Sequence, residues 1–254
     1  MLNLKGKRGL VAGIANEHSI AFGCAKVLRE YGAEVGITYG NAKAYPFVAP
    51  LLPQLTPAFC LPCDVTNEQE VARVFTHIKE TWGELDFLLH SIAFAPKDAI
   101  LNRVTDCPKA GFLTAMEVSC YSFIEMCRYA APLMINGGSI LTLSYYGSEK
   151  VVAHYNIMGA VKAALESATR YLAVDLGAKN IRVNAISPGP IMTRAGSGIG
   201  HFEELIIKSQ EKSPLHTLTT LEDVGQMVAF LVSDLSKNIT GGVQYVDGGY
   251  GVVD

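Results

Sequence analysis

The sequence predicts an α/β fold, with one doubly wound parallel sheet of about seven strands and helices on both faces. Three observations predict it. Short apolar runs alternate with amphipathic segments from end to end, the pattern of strands joined by crossover helices. The composition suits a packed core, with 49% hydrophobic and 18% charged residues in 254. No Pro-, Gly- or Ser-rich linker, internal repeat or low-complexity stretch divides the chain, so a single domain is expected over 1–254.

The elements follow in order. Arg8–Ala12 reads as the first strand, and Ser19–Gly32 as an amphipathic helix closed by Gly32. Ala33–Tyr39 and Pro57–Cys63 are the second and third strands. Asn67–Trp82 is a helix, with Asn67 as N-cap and Glu70 three residues on, the spacing of a capping box. Leu85–Ala93 is a long buried strand and Ser139–Leu143 a fifth. Asn156–Leu176 is a long helix ended by Gly177, and Ile181–Ile186 is the sixth strand. Leu221–Ser233 is a helix and Val243–Val246 a last short strand. The least regular stretches are Tyr39–Thr56, Phe94–Gly111 and Ser187–Phe202. All three follow strands, so they should crowd the carboxyl rim of the sheet, where ligands bind in such folds.

Composition narrows the function. The net charge of −3 and mixed charge pattern do not suit a nucleic-acid binder. No charged n-region with an apolar h-region opens the sequence, and no apolar run reaches the roughly 20 residues of a membrane span, so a cytoplasmic location is expected. Cys60 and Cys63 form a C-x-x-C at the end of a buried strand. No second C-x-x-C or H-x-H follows, and a redox pair needs its first thiol exposed at a helix N-terminus rather than on a buried strand, so they read as small core residues and no metal site is expected.

The first strand runs into Gly13, and a helix begins near Ser19. Free N–H groups and the positive end of the helix dipole suit a pyrophosphate there. Gly13 permits the sharp exit, and Gly23 is expected to let the helix approach the sheet. The loop lacks G-x-G-x-x-G, so on its own it also fits an ordinary βα turn. The second strand ends Tyr39-Gly40-Asn41 with no arginine to welcome a 2′-phosphate; the nearest base is Lys43, which favours NADH over NADPH. Asp64 and Val65 close the third strand, where Asp64 fits either an adenine contact or a simple strand-end cap. The fourth strand ends in Ser91, Ile92, Ala93 and, past Phe94, Ala95; small residues at a strand end leave room for a cofactor, and also fit a packed core. These features together point to a Rossmann-like dinucleotide fold.

After the fifth strand comes Ser144-Tyr145-Tyr146, then Tyr155 and, seven residues on, Lys162. Seven helical residues turn about 700° and rise about 10 Å, which would put Tyr155 and Lys162 on one helical face. An ammonium near a tyrosine favours the phenolate and eases proton donation. The same pair also fits a half-buried Tyr and a surface Lys. Carbonyl reductases of the short-chain dehydrogenase class carry Lys four residues after Tyr, where this chain has Gly159.

Taken in order, several motifs resemble the bacterial enoyl-acyl carrier protein reductases of type II fatty acid synthesis. They are Gly13-x5-Ser19-Ile20-Ala21-x-Gly23, Cys63-Asp64-Val65, His90 to Pro96, Leu143-Ser144-Tyr145, Tyr155-x6-Lys162, Arg182 to Ile191 and Val246-Asp247-Gly248-Gly249. The resemblance covers nearly the whole chain. It implies an NADH-dependent oxidoreductase, assembled as a homotetramer, that reduces a trans-2-enoyl thioester carried on acyl carrier protein. It implies Tyr145, Tyr155 and Lys162 as catalytic residues, with Tyr155 on the enolate oxygen and Lys162 on the cofactor ribose. Cofactor positions carried over are Gly13, Ser19, Ile20, Gly40, Asp64, Val65, Ser91, Ile92, Ala93, Ile191, Met192, Thr193, Arg194 and Ala195. Substrate positions are Ala95, Tyr145, Tyr155, Ile199 and Phe202, the last two in a covering segment over about 190–212. Arg194, Lys208 and Lys212 are candidates for meeting an acidic carrier, opposed by Glu203 and Glu204. The competing readings are a short-chain carbonyl or 3-ketoacyl reductase and a non-catalytic dinucleotide-binding protein.

Overall fold

The computed structural model describes residues 2–193, 196, 200 and 202–253. Seven strands form one sheet in the order β3-β2-β1-β4-β5-β6-β7, every adjacent pair parallel. They are β1 (Arg8–Ala12), β2 (Glu34–Tyr39), β3 (Cys60–Pro62), β4 (Phe87–His90), β5 (Gly138–Leu143), β6 (Ile181–Pro188) and β7 (Val243–Val246). The main helices are α1 (Ile20–Glu30), α2 (Glu68–Thr81), α3 (Lys109–Met116), α4 (Ser122–Ala130), α5 (Ile157–Gly177), α6 (Phe202–Lys212) and α7 (Leu221–Val232). Two cores result, one per face of the sheet. Leu10, Leu88, Ile140 and Val183 point toward α2, α4 and α5, while Val11, Leu89, Leu141 and Ile186 point toward α1 and α7. The alternation along each central strand produces this, because successive side chains leave opposite faces. Among the described residues, no helix is long and apolar enough to cross a membrane.

The strand order reverses direction between β1 and β4, which opens a crevice at their carboxyl ends. Several boundaries differ from the sequence reading. Pro57–Cys63 shrinks to Cys60–Pro62, because β3 is an edge strand paired only with Ile37, Thr38 and Tyr39. Leu85–Ala93 shrinks to Phe87–His90; the apolar run continues past the pairing and turns into the rim. Tyr39–Thr56 is not irregular throughout, since three short helical turns at Tyr45–Val48, Ala49–Leu51 and Leu52–Leu55 each hold a proline in the first turn. The largest omission is the helical run from Lys109 to Ala130, whose first residues fall within the predicted irregular stretch Phe94–Gly111. There α3 and α4 are joined by a π-helical turn at Glu117–Tyr121.

Helix termini also differ in detail. Gly32, at φ 93°, closes α1 as expected. Gly177 remains inside α5, and the left-handed residue that closes it is Asn180, at φ 57°, whose N–H reaches the Gly177 carbonyl. Asn67 caps α2 by accepting the Gln69 N–H, but no capping box forms, because the Glu70 carboxylate accepts the Asp64 N–H instead. Gly23 does not face the sheet. A Cβ there would lie 2.5 Å from Leu221 Cβ, so this glycine brings α1 against α7 rather than against the strands.

Candidate active site

The turn after β1 is built around Gly13. Its φ of 103° favours glycine, and a Cβ would meet the Ser91 carbonyl oxygen at 2.2 Å. The Gly13 and Ile14 amides bond the Thr38 carbonyl, tying the turn to β2. Ser19 precedes α1 but does not cap it with its side chain. Its hydroxyl donates to the Asn16 carbonyl at 2.6 Å and accepts the Ala15 N–H at 3.4 Å. The first amides of α1, beginning at Ile20, therefore keep the unsatisfied donors of a helix start, at the mouth of the crevice. A Cβ-free turn below and free amides above fit a pyrophosphate.

The remaining positions expected from the sequence to meet a cofactor follow strand ends on the same rim. Gly40 ends β2 with open space where a Cβ would stand. Asp64 is exposed and its Oδ1 accepts both the N–H and the hydroxyl of Thr66, so the strand-end cap is real for that oxygen. Val65 is buried in the core. Ser91, Ile92, Ala93 and Ala95 are half-buried as the chain leaves β4, and Ser119 from the π-turn holds both the N–H and the carbonyl of Phe94. Ile191 and Thr193 are half-buried and Met192 exposed; the Thr193 hydroxyl accepts the Gly196 N–H. Phe202 is buried at the start of α6. Arg194, Ala195 and Ile199 lie outside the described residues. Burial pushes the Cys60 thiol up to about 11 and the Cys63 thiol to about 12, which suits core residues rather than nucleophiles.

The tyrosines meet at the ends of β5 and α5. Tyr145 and Tyr155 pack edge to face with ring centroids 4.8 Å apart, both buried. Tyr155 is not on the helix. It sits in a turn between His154, at φ 65°, and Asn156, at φ 45°, and α5 starts only at Ile157. The one-face helical argument therefore fails, and a turn with two left-handed residues presents the ring instead. The Asn156 amide anchors that turn by donating to the Ile100 carbonyl at 2.7 Å. Gly147 and Gly159 make the close approach possible. A Cβ on Gly147 would touch the Tyr155 ring at 2.4 Å, and one on Gly159 would meet the Gly147 carbonyl at 2.8 Å.

Lys162 is buried, and its ammonium donates to the Leu143 carbonyl at 2.7 Å. Burial lowers it to about 8, with Cys120 and Glu166 acting in the opposite sense. Tyr155 moves the other way: burial raises it, and Tyr145 and Glu166 raise it further. These directions run against the ammonium-assisted phenolate expected from the sequence. Burial favours the protonated form of Tyr155. Tyr145 is also raised by burial, and its buried hydroxyl has no partner among the described residues. A buried hydroxyl left unpaired in a rim site is poised for a ligand oxygen.

Sequence reasoning gave no role to three residues. Glu166 is buried one turn beyond Lys162 and accepts the hydroxyls of both Ser144 and Ser148. Cys120 comes from the π-turn to lie near Lys162. His90 is buried at the end of β4 between Thr142 and Ser122. Glu166 left a readable signal. Met158, Val161, Leu165 and Thr169 form a buried helical stripe, and Lys162 and Glu166 fall on it at i, i+4. A cavity of about 510 Å³ lies beside the site, lined by Tyr146, Val152, His154, Leu205, Lys208 and Tyr250 among others.

A parallel sheet with a glycine-tight turn at its strand switch and a buried Tyr–Tyr–Lys group on the same rim defines a Rossmann-like α/β protein of the short-chain dehydrogenase/reductase type. The family model described as enoyl-(acyl carrier protein) reductase matches residues 13–251. The chain is 47% identical over 249 residues to enoyl-[acyl-carrier-protein] reductase [NADH] 2 of Rhizobium meliloti, covering 98% of this chain and 93% of that protein. Among solved structures it resembles the Anaplasma phagocytophilum enoyl-(acyl-carrier-protein) reductase in complex with NAD, with 48% identity, TM-score 0.94 and coverage of 98% and 95%. It also resembles the Bacillus cereus enoyl-acyl carrier protein reductase with NADP+ and indole naphthyridinone, with 42% identity, TM-score 0.97 and both chains fully covered. The chain belongs to the enoyl-[acyl-carrier-protein] reductase family.

Proposed function

We propose that this protein reduces the carbon–carbon double bond of a trans-2-enoyl thioester on acyl carrier protein, using NADH, as a step of fatty acid synthesis. One observation supports the residue roles: the buried, edge-to-face Tyr145–Tyr155 pair carries a Tyr145 hydroxyl with no partner among the described residues, and the buried Lys162 is bonded to the Leu143 carbonyl, two residues before Tyr145. The cofactor supplies a hydride, which goes to C3 of the enoyl chain. The electron pair of the double bond moves toward the thioester, and negative charge gathers on its oxygen. Tyr155 donates a hydrogen bond to that oxygen as the charge develops, which is where a preorganised donor lowers a barrier. Its raised pKa keeps the donor protonated at neutral pH. Tyr145 offers a second hydroxyl, and a proton taken up from water at C2 completes the reduction. Lys162 holds the nicotinamide ribose, while Gly13, Ser19 and Ile20 take the pyrophosphate.

The finer assignments belong to the same reading. Ile191, Met192, Thr193, Arg194 and Ala195 contact the cofactor, and Ala95, Ile199 and Phe202 contact the acyl chain. The whole chain forms one catalytic domain whose 190–212 segment covers the substrate. Four copies assemble, and the enzyme works in the cytoplasm. NADH is preferred over NADPH because β2 is followed by Gly40 and Asn41 rather than an arginine. A carbonyl reductase of the related class would need Lys at position 159, where a Cβ already meets the Gly147 carbonyl.

The test follows NADH consumption by the purified protein with crotonyl and acetoacetyl thioesters. Crotonyl turnover should dominate, and NADPH should be the poorer donor. Tyr155→Phe and Lys162→Ala should each lower kcat/KM by roughly a hundredfold, the scale of losing one oriented donor. Preference for the acetoacetyl thioester, or undiminished turnover in both variants, would overturn the reading.

A further inference from the structure

The buried carboxylate of Glu166 sits where three parts of the site meet. Its Oε1 accepts the Ser144 and Ser148 hydroxyls, the latter at 2.6 Å, so this one oxygen holds the two ends of the turn that carries Tyr145. It also lies one helical turn beyond Lys162 on the same buried stripe of α5. From these contacts we infer that Glu166 is a positioning residue with two separable roles: its hydrogen bonds set the Tyr145 turn, and its acidic side chain, one helical turn on, is the counter-group to Lys162. The inference rests on the reductase reading above.

Both roles follow from what else surrounds these groups. The titratable groups facing Lys162 are Glu166 from its own helix, Cys120 from the π-turn and His90 from β4. Burial lowers His90 to about 3 and raises Cys120, so both are neutral near pH 7. Among the described residues, the carboxylate on Glu166 is therefore the charge that offsets the desolvation of Lys162. Glu166 itself is faced by Tyr155 and by Tyr245 of β7, both raised by burial and hence neutral. Glu149 lies across Tyr245 and takes its hydroxyl. A lone ammonium held by one carbonyl would lose its proton more readily still.

The experiment compares Glu166→Gln, Glu166→Asp and Ser144→Ala/Ser148→Ala with the unaltered enzyme. It uses the pH profile of kcat/KM for NADH, which reports the free enzyme, together with kcat at pH 7. The unaltered enzyme should lose kcat/KM as pH rises through about 8, where Lys162 gives up its proton. Gln keeps an oxygen for both serines but removes the charge, so the alkaline limb should move roughly one pH unit lower. Asp keeps the charge on a shorter stem, so the limb should stay while kcat falls. The serine double variant should lose roughly tenfold in kcat with the limb unmoved. A Gln profile superimposable on that of the unaltered enzyme overturns the charge role, and a double variant within twofold in kcat overturns the turn role. Should the Gln variant fail to fold, Glu166→Ala takes its place, and an alkaline limb unmoved in that variant overturns the charge role. An unaltered protein that does not reduce crotonyl thioester at all sinks the reductase reading instead.

Discussion

His90 illustrates what one buried residue contributes. Its Nε2 lies 2.8 Å from the Ser122 hydroxyl, which already donates to the Val118 carbonyl, so the ring must donate there. The Nδ1 then accepts from Thr142. Burial lowers the ring from its ordinary 6.5 to about 3, chiefly because no water can stabilise the charged form. Between those values the unfolded chain binds a proton that the folded one refuses, so stability is present above about 6.5 and is lost as pH falls toward 3. Thermal unfolding between pH 7 and 4 should show this loss, and His90→Phe should flatten the slope. The variant should also cost about 1–3 kcal/mol at pH 7, because Thr142 loses its partner. An unchanged slope would assign the acid lability to other groups. His90 stood in a motif legible in the sequence, yet its network did not, because Ser122 and Thr142 come from different elements.

The glycines decide how the elements meet. Gly23 and Gly225 lie where α1 and α7 cross, with imagined Cβ atoms 2.5 Å from Leu221 Cβ and 2.7 Å from Val27 Cγ2. Gly23→Val should force the helices apart and lower stability by about 1–3 kcal/mol, the usual cost of overpacking. Denaturant unfolding measures it, and an unchanged midpoint would show that the helices yield freely. Gly13 was legible as a turn glycine because strand exit and helix start bracket it. Gly23 was misread because spacing shows that a helix is close to something, not to what. The helical run Lys109–Ala130 escaped for another reason. The π-turn at Glu117–Tyr121 shifts the phase of its apolar stripe, and Leu113, Tyr121 and Ile124 remain exposed on its outer side. With apolar residues on both sides of a phase break, no single period survives.

That outer apolar surface matters for the whole molecule. Leu113, Tyr121 and Ile124 from the α3–α4 run, and Tyr171 and Val174 from the neighbouring α5, are exposed. Exposed apolar groups on adjacent helices suit a self-complementary interface between copies. Light scattering after gel filtration should give a mass four times that of the chain. Tyr171→Asp combined with Val174→Asp should yield a smaller species with unchanged circular dichroism. A monomeric unaltered protein would refute the tetramer, and an intact tetramer in the variant would move the interface elsewhere.

Taken alone, the sequence determined the strand order of events along the chain, the α/β class and the Tyr155–Lys162 spacing with Gly159 between them. These are local signals: periodicity, turn chemistry and residue type act within a few residues of each other. Only the tertiary structure decided which way Gly23 faces, that Tyr155 sits in a strained turn before α5, and that Tyr155 keeps its proton while Lys162 is pressed toward neutrality. It alone brought Glu166, Ser144 and Ser148 together across 22 residues of chain. Burial and long-range pairing set these properties, and both depend on which elements pack against one another rather than on their order.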